Sequence, residues 1–176
     1  MPNNITYALY VKYSYRRALL CKHKLVGNSA CLSCLLNNQR KDTMQKPTLL
    51  TTPGYGETML KALHYSQALK VGDRIETSGQ GGWDDNLKIP NCIEEEIAQA
   101  FLNVERTLAT AGANWEHVVH VNSYHVGGFP PIVNETMTKL FRHYMPNRAP
   151  IWTEVGVESL GLPEMRIEIR VTAITA

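Results

Sequence analysis

The sequence has no apolar run that approaches the roughly 20 residues that a helix needs to cross a bilayer. It also contains no nucleophile-elbow, phosphate-loop or metalloprotease motif. The segment 79–82 is rich in glycine, but it lacks the lysine and the following Ser or Thr of a phosphate loop. We therefore predict no membrane partner and none of these well-marked catalytic centres.

Acidic residues are almost absent from the start of the chain. Residues 1–47 contain eight basic residues and one acid, whereas the remainder contains ten basic and fifteen acidic residues. A basic, acid-poor opening is typical of an organellar presequence, although serine is scarce in this one. Three interpretations stay open for residues 1–47: a targeting segment, a disordered basic tail, or a misassigned start with Met44 as the working start. Residues 48–176 are predicted to form one folded domain.

Cysteine is also scarce, and three of the four cysteines lie in the basic segment. Cys31 and Cys34 have the spacing of half a zinc site, but no second Cys or His pair follows at a matching distance. We interpret them as ordinary thiols and leave a metal or redox role open. Without a secretory signal or a disulfide framework, the sequence predicts a reducing compartment, either cytoplasmic or mitochondrial.

Hydrophobic periodicity in the acidic part predicts an α+β domain with the order β-β-α-β-α-β-β. A Gly72-Asp73 turn joins the first two strands, and Ala111-Gly112-Ala113 ends the first helix. These elements form one mixed sheet with two helices on one face. The predicted elements are a loop over 48–57, strands over 64–69 and 75–78, a helix that starts near Glu94 and stops at Ala111-Gly112-Ala113, a strand over 118–126, a helix over 132–144, and strands over 151–157 and 165–174.

Alternation within the strand 118–126 predicts which side chains share a face. Val119, Val121 and Ser123 are expected on one face, with Val118 on the other. The sheet face without helices carries enough apolar residues that we expect it to be covered. Copies of the same chain would cover it in a closed, symmetric oligomer.

A stiff corner precedes the strand 151–157. Prolines at 146 and 150 fix their own φ and restrict the residues before them, so Arg148 is held between a helix and a strand. The planar guanidinium presents two parallel donors that match the oxygens of a carboxylate. Arg148 is therefore a candidate carboxylate-binding residue. The alternative is a solvated arginine or one that pairs with a surface acid.

Two further sets of polar residues lie on predicted strands. His117, His120 and His125 alternate in direction, so they are not expected to bind one metal ion. Glu168 alternates with apolar residues and shares a face with Arg166 and Arg170. It is either part of a charged ladder on the sheet or a carboxylate at an oligomer cleft that holds a water molecule.

Several segments together resemble the Rid family, the reactive intermediate deaminases that are also called YjgF-type or L-PSP proteins. The resemblance runs from about residue 48 to the end of the chain. The segments, in the family's order, are His64-Tyr65-Ser66-Gln67-Ala68, Val71-Gly72-Asp73, Thr77-Ser78-Gly79-Gln80, Ala111-Gly112-Ala113, Asn147-Arg148-Ala149-Pro150 and Ile167-Glu168-Ile169.

This resemblance implies a subunit like chorismate mutase of the bacillus type, assembled as a homotrimer with ligand sites between subunits. It implies that Arg148 binds the carboxylate of a 2-imino or 2-keto acid, and that a backbone N–H at Gly79 supports the ligand. Tyr65 would line the pocket, and Glu168 would position the water that attacks the imine. The implied activity is hydrolysis of reactive imines to 2-keto acids and ammonia. No cofactor and no metal are required, because the site mainly orients a reactive group beside water.

The chain departs from the family pattern at three places. Pro150 stands two residues after Arg148, where the deaminases of the family commonly carry Cys, Ser or Thr. The segment between Arg148 and Glu168 is longer than in the commonest members, and Gly81-Gly82-Trp83 follows the Gly-Gln step. The alternative function is therefore a non-catalytic or pathway-specific binder of a small carboxylate. Ribonuclease activity ranks below both, because the acidic domain lacks a basic groove for nucleic acid.

Overall fold

The computed structural model describes residues 45–175. The interpretations of the basic opening segment, and of Cys31 and Cys34, fall on residues outside this range and stay predictions. No helix among the described residues is long and apolar enough to cross a membrane.

The described chain contains seven strands, three α-helices and one short 3-10 helix. In chain order they are β1 (Thr48–Leu50), α1 (Tyr55–Leu63), β2 (Ala68–Val71), β3 (Arg74–Thr77), β4 (Gln80–Gly81), α2 (Ile93–Thr110), the 3-10 helix (Trp115–His117), β5 (Val118–Val126), α3 (Pro131–Tyr144), β6 (Ile151–Val157) and β7 (Ile167–Ile174).

All seven strands belong to one mixed sheet with the order β1-β2-β3-β7-β5-β6, and β4 also pairs with β7. The pair of β5 and β6 is parallel, and the other pairs are antiparallel. The parallel pair requires a crossover, and α3 provides it. The predicted α+β class with a mixed sheet is confirmed.

Local sequence explains where the main elements begin and end. Gly72 has a φ of 59°, which a two-residue hairpin turn between antiparallel strands favours. Three glutamates occupy the first turn of α2, where the helix dipole favours acids. Gly112, with a φ of 75°, follows the end of that helix.

The main core lies between one face of the sheet and the two long helices, α2 and α3. Phe101 of α2 stacks on Trp115 with ring centroids 4.6 Å apart, and both side chains are buried. Side chains from β3, β5 and β7 close the core from below. Its buried members include Ile97, Phe101, Val104, Leu108, Val133, Met137, Ile75, Val121, Ile167, Ile169 and Val171.

The loop predicted over 48–57 is wrong. That segment contains β1 and the first turn of α1, and the predicted strand over 64–69 starts only at Ala68. The Pro-Gly pair at 53–54 hid the helix, because it reads as a turn although it stands directly before a helix N-terminus. Tyr55 and Met59 are the only large buried side chains of α1. Two such residues are too few to be recognised as a helical repeat. The predicted element order therefore lacked β1, α1 and the two-residue β4.

The predicted face of Val118 is also wrong. The pairing between β5 and β7 shifts register between Val118 and His120, so one extra residue enters β5 there. Val118 consequently points into the helix-covered core, on the same side as Val121, and both are fully buried. Beyond the bulge the predicted alternation holds.

The opposite face of the sheet has no helix against it in the described chain. Leu49 and Ile151 are each 68% exposed and Val155 is 40% exposed, so apolar side chains lie on this open face. Glu76 lies among them and accepts hydrogen bonds from Arg170, at 3.0 Å, and from Thr172, at 2.8 Å. This open face is an apolar surface around a charged centre.

Candidate functional site

A cavity of about 250 Å³ lies where α1, the loop after β4 and the loop before β7 meet. Its deep wall is apolar, because Met59, Trp83 and Met165 are all buried there. Glu168 is the one charged residue among the described residues that line it. The lining residues are Thr58, Met59, Ala62, Leu63, Tyr65, Gly79, Trp83, Leu87, Gly161, Leu162, Met165 and Glu168.

Glu168 stands on β7 between two arginines that bind other acids. Arg166 pairs with Glu96 at 2.6 Å, and Arg170 pairs with Glu76 at 3.0 Å. Within residues 45–175 no basic side chain pairs with Glu168, so the charged-ladder interpretation has no support in this part of the chain. Burial beside the apolar wall raises the pKa of the Glu168 carboxyl. A carboxyl group in such a place can give or take a proton nearer neutral pH.

Gly79 and Tyr65 lie next to this carboxylate. A Cβ at position 79 would overlap the Glu168 carboxylate, so glycine is required for the side chain to lie where it does. Burial raises the pKa of the Tyr65 hydroxyl, the Gln67 side chain lowers it, and the charge of Glu168 raises it. The structure therefore brings together Tyr65, Gly79 and Glu168, three of the four predicted site residues.

Arg148 lies elsewhere in the same chain. Its guanidinium donates to the backbone carbonyl of Glu116, and its side chain is exposed. Glu168 pairs with Tyr124, and Tyr124 pairs with Val155, four residues along β6 from Ile151. That is about 13 Å along the strand, and Arg148 comes before Ile151. One chain therefore does not place Arg148 in the cavity.

Comparison with known proteins identifies the relatives of this fold. A sequence profile described as endoribonuclease L-PSP matches residues 57–175, more than half of the chain. The chain belongs to the endoribonuclease L-PSP family. The resemblance to Rid and YjgF-type proteins is thereby confirmed.

Three relatives illustrate the family. A 2-iminobutanoate/2-iminopropanoate deaminase of Dermatophagoides farinae is 35% identical over 109 residues, which are 60% of this chain and 80% of the relative. The RutC family protein YjgH of Escherichia coli (strain K12) is 31% identical over 116 residues, 65% of this chain and 87% of YjgH. The mitochondrial protein mmf2 of Schizosaccharomyces pombe (strain 972 / ATCC 24843) is 27% identical over 114 residues, 64% of this chain and 86% of mmf2.

The fold of this L-PSP family member also matches a solved structure of YjgH. The TM-score is 0.59 at 26% identity, and the match covers 75% of this chain and 95% of YjgH.

A second layer of hydrogen bonds supports the site of this L-PSP protein, and sequence reasoning missed it. The Gln80 amide donates to the Ser78 hydroxyl at 2.9 Å and accepts from the Tyr55 hydroxyl at 2.7 Å, so the backbone around Gly79 is held from both sides. The Asn103 amide donates to the carbonyls of Gly81, at 2.8 Å, and Trp83, at 2.7 Å. The one signal in the sequence was an asparagine directly beside the apolar stripe of α2.

The loop before β7 is fixed by a single buried carboxylate. Glu96 of α2 is fully buried and accepts from the backbone N–H of Arg166, at 2.7 Å, and of Ile167, at 3.2 Å. The Arg166 guanidinium also donates to the carbonyls of Pro90 and Asn91. These contacts set the start of β7 at Ile167, and therefore the place of Glu168 directly after it.

The histidines are placed in different surroundings. His117 binds Asn114, whereas His125 is buried and contacts the Ser123 hydroxyl at 2.8 Å. Burial lowers the pKa of His125 to about 4. No group of three metal-binding side chains is found within residues 45–175.

Proposed function

We propose that this protein hydrolyses the C=N bond of 2-imino acids to give 2-keto acids and ammonia, without a cofactor, in a cleft shared by two copies of the chain. The observation that carries the proposal is the Glu168 carboxylate, which lies in an apolar cavity beside Gly79 and Tyr65 and has no basic partner within residues 45–175. The mite relative, named as an imine deaminase, favours this chemistry over simple binding.

Glu168 supplies the proton transfers. As water adds to the carbon of the protonated imine, the Glu168 carboxylate takes a proton from that water, and the electron pair of the C=N π bond moves to the nitrogen. The protonated carboxyl then gives its proton to the amine of the resulting carbinolamine. The C–N bond breaks and ammonia leaves with the electron pair of that bond. The remaining hydroxyl proton passes to Glu168 and from there to the ammonia, so that ammonium departs and the carboxylate is restored. The raised pKa of Glu168 suits both directions of transfer.

The substrate carboxylate needs a cation that the cavity of one chain does not contain. We assign this role to Arg148 of a second copy, because its exposed guanidinium could make a bidentate contact there. The proposed assembly is a homotrimer whose subunits meet through their open faces. Such an assembly would cover the exposed apolar side chains of β1 and β6.

The test mixes the purified protein with an imine that an amino acid oxidase generates in situ from an amino acid, and follows release of the keto acid. We expect acceleration over buffer in the wild type and loss of it in Glu168→Gln and Arg148→Ala. The matched controls are Glu164→Gln and Arg142→Ala, which change exposed groups of the same type outside the cavity.

Binding of a 2-keto acid, followed by thermal shift, separates the two functions. Deamination predicts that Glu168→Gln still binds the keto acid while turnover is lost. A wild type that binds the keto acid but never accelerates imine hydrolysis would instead be a carboxylate-binding protein. Full turnover in Arg148→Ala would contradict the assigned carboxylate anchor.

A further inference from the structure

The cavity beside Glu168 has an apolar wall, although water and an imine group do not require one. Three separate segments of the chain build its wall. Met59 comes from α1, Trp83 from the loop after β4, and Met165 from the loop before β7, and none is more than 6% exposed. A wall that is made of buried apolar atoms gains by burying apolar substrate surface.

The loop before β7 closes this wall from a fixed position. Leu160 and Leu162 pack against the small cluster of Tyr55, Trp83 and Met165. The Leu162 N–H also lies 3.3 Å from the Met165 sulfur. Glu96 also binds the backbone at the end of this loop, directly after Met165.

The negative charge of the cavity disfavours substrates whose side chain carries a second carboxylate. Glu168 is the one charged residue among the described residues that line it, and it is acidic. A substrate side chain that ends in a carboxylate would meet both an apolar wall and a like charge. Within one chain the cavity measures about 250 Å³, which leaves room for an apolar side chain beside Glu168.

We infer that the site selects 2-imino or 2-keto acids with a large apolar side chain, of leucine, methionine or phenylalanine size. It would discriminate against the two small substrates in the name of the mite relative and against acids with a second carboxylate. This inference rests on the proposed function in placing the reacting group beside Glu168. The specificity-determining residues are Met59, Trp83, Leu162 and Met165.

The first experiment measures binding of unreactive keto acids to the full-length protein by calorimetry. The probes are 4-methyl-2-oxopentanoate, phenylpyruvate, pyruvate and 2-oxoglutarate. We expect the two large apolar acids to bind at least about 10-fold more tightly than pyruvate, as an apolar pocket discriminates by added methylenes. Equal binding of all four, or a preference for pyruvate or 2-oxoglutarate, would overturn the inference.

Two variants and one control tie this preference to the wall. Ala62→Leu adds an apolar side chain at the cavity mouth and should remove the preference for large acids while pyruvate binding is kept. Leu162→Asn should weaken binding of the large acids about 10-fold. Lys61→Leu adds the same side chain one residue away, outside the lining, and should change neither. An unchanged preference in both cavity variants, with unfolding midpoints like the wild type, would contradict the assignment.

The second experiment compares kcat/KM for imines generated from alanine, 2-aminobutyrate, leucine and phenylalanine. The same order as in the binding series is expected. If no imine is hydrolysed faster than in buffer, the proposed function fails, and the binding series alone decides the ligand class. If hydrolysis is fast but favours the alanine-derived imine, the inference fails and the proposed function stands.

Discussion

The carboxylate of Glu168 lies so close to the Cα of Gly79 that a methyl group on that Cα would overlap it. The two residues come from β7 and from the break between β3 and β4, strands that pair side by side in the sheet. Glycine is needed at position 79 because a side chain there would have no room. The backbone conformation does not require glycine, since its φ is not positive. The carboxylate of Glu168 and the backbone of residue 79 are therefore in close contact at the wall of the cavity.

The first prediction follows from this contact. Gly79→Ala should lower kcat/KM about 100-fold, since a displacement of roughly 1 Å at a reacting group can cost that much. Gly156→Ala is the matched control, because its new Cβ would meet Phe129 at an ordinary 3.8 Å. Imine hydrolysis with both variants is the measurement. Wild-type activity in Gly79→Ala would show that the position of Glu168 does not matter for turnover.

A second prediction concerns stability at the same site. The pKa of Glu168 is raised in the folded chain, so the fold retains this proton more tightly than the unfolded chain does. Its contribution to stability is therefore present at low pH and is lost as pH rises through the raised pKa. Glu168→Gln, which cannot ionise, should unfold at a higher temperature than the wild type at pH 7, and the difference should disappear near pH 4. Glu164→Gln should show no such pH-dependent gain.

Sequence reasoning located the long elements because their patterns repeat. The stripe of Ile97, Phe101, Val104 and Leu108 gives α2 a face that is buried along its length. α1 offers no comparable repeat, and it ends at His64 in a left-handed conformation with a φ of 57°. Such an ending is usual for glycine or asparagine, so histidine gives no stop signal.

The candidate site was predictable in part, but for a different reason. Tyr65, Gly79 and Glu168 lie in segments that resemble a family, and that resemblance indicated them. Trp83, Leu162 and Met165 come from loops without a period, and only the fold brings them to one cavity. The hydrogen bonds of Gln80 and Asn103 also depend on contacts between segments distant in sequence, which no local pattern reveals.

A third prediction concerns the buried acid that fixes the start of β7. Glu96→Ala leaves two backbone N–H groups and the Nε of Arg166 without their acceptor, whereas the rest of the guanidinium keeps the carbonyls of Pro90 and Asn91. We expect the free energy of unfolding to fall by about 1–3 kcal/mol, as when buried donors are left without an acceptor. Urea unfolding measures it, with the exposed neighbour Glu95→Ala as control. Equal losses in the two variants would contradict the role assigned to Glu96.

A fourth prediction concerns His125, which is buried beside Ser123 and lies 3.7 Å from Glu154. Its pKa falls from 6.5 to about 4 on folding, so between these values the unfolded chain binds a proton that the folded chain does not. Stability should therefore fall as pH drops from 6.5 to 4, by on the order of 3 kcal/mol. The raised pKa of Glu154 acts in the opposite direction.

Urea unfolding of wild type and His125→Gln between pH 7 and pH 4 isolates this effect. The variant should lose most of the pH dependence even if its stability at pH 7 is lower. His143→Gln, on the exposed end of α3, should keep the wild-type slope. Identical slopes in wild type and His125→Gln would show that His125 does not cause the acid instability.

The last prediction tests whether the site is shared between copies. If Glu168 and Arg148 of one site come from different chains, two inactive variants can complement each other. Coexpression of Glu168→Gln with Arg148→Ala forms some sites in which both residues are intact. Random mixing restores about a quarter of the wild-type sites in a closed oligomer with one such contact per subunit. Each variant alone should remain inactive.

The matched control mixes Glu168→Gln with Gly79→Ala. Positions 79 and 168 touch within one chain, so neither variant can supply an intact half of the cavity to the other. No activity should return in this mixture, although its oligomers form in the same way. Recovery in the first mixture and none in the second requires Glu168 and Gly79 to act from one subunit and Arg148 from its neighbour. Silence in both mixtures would contradict an Arg148 that is supplied by the neighbouring subunit.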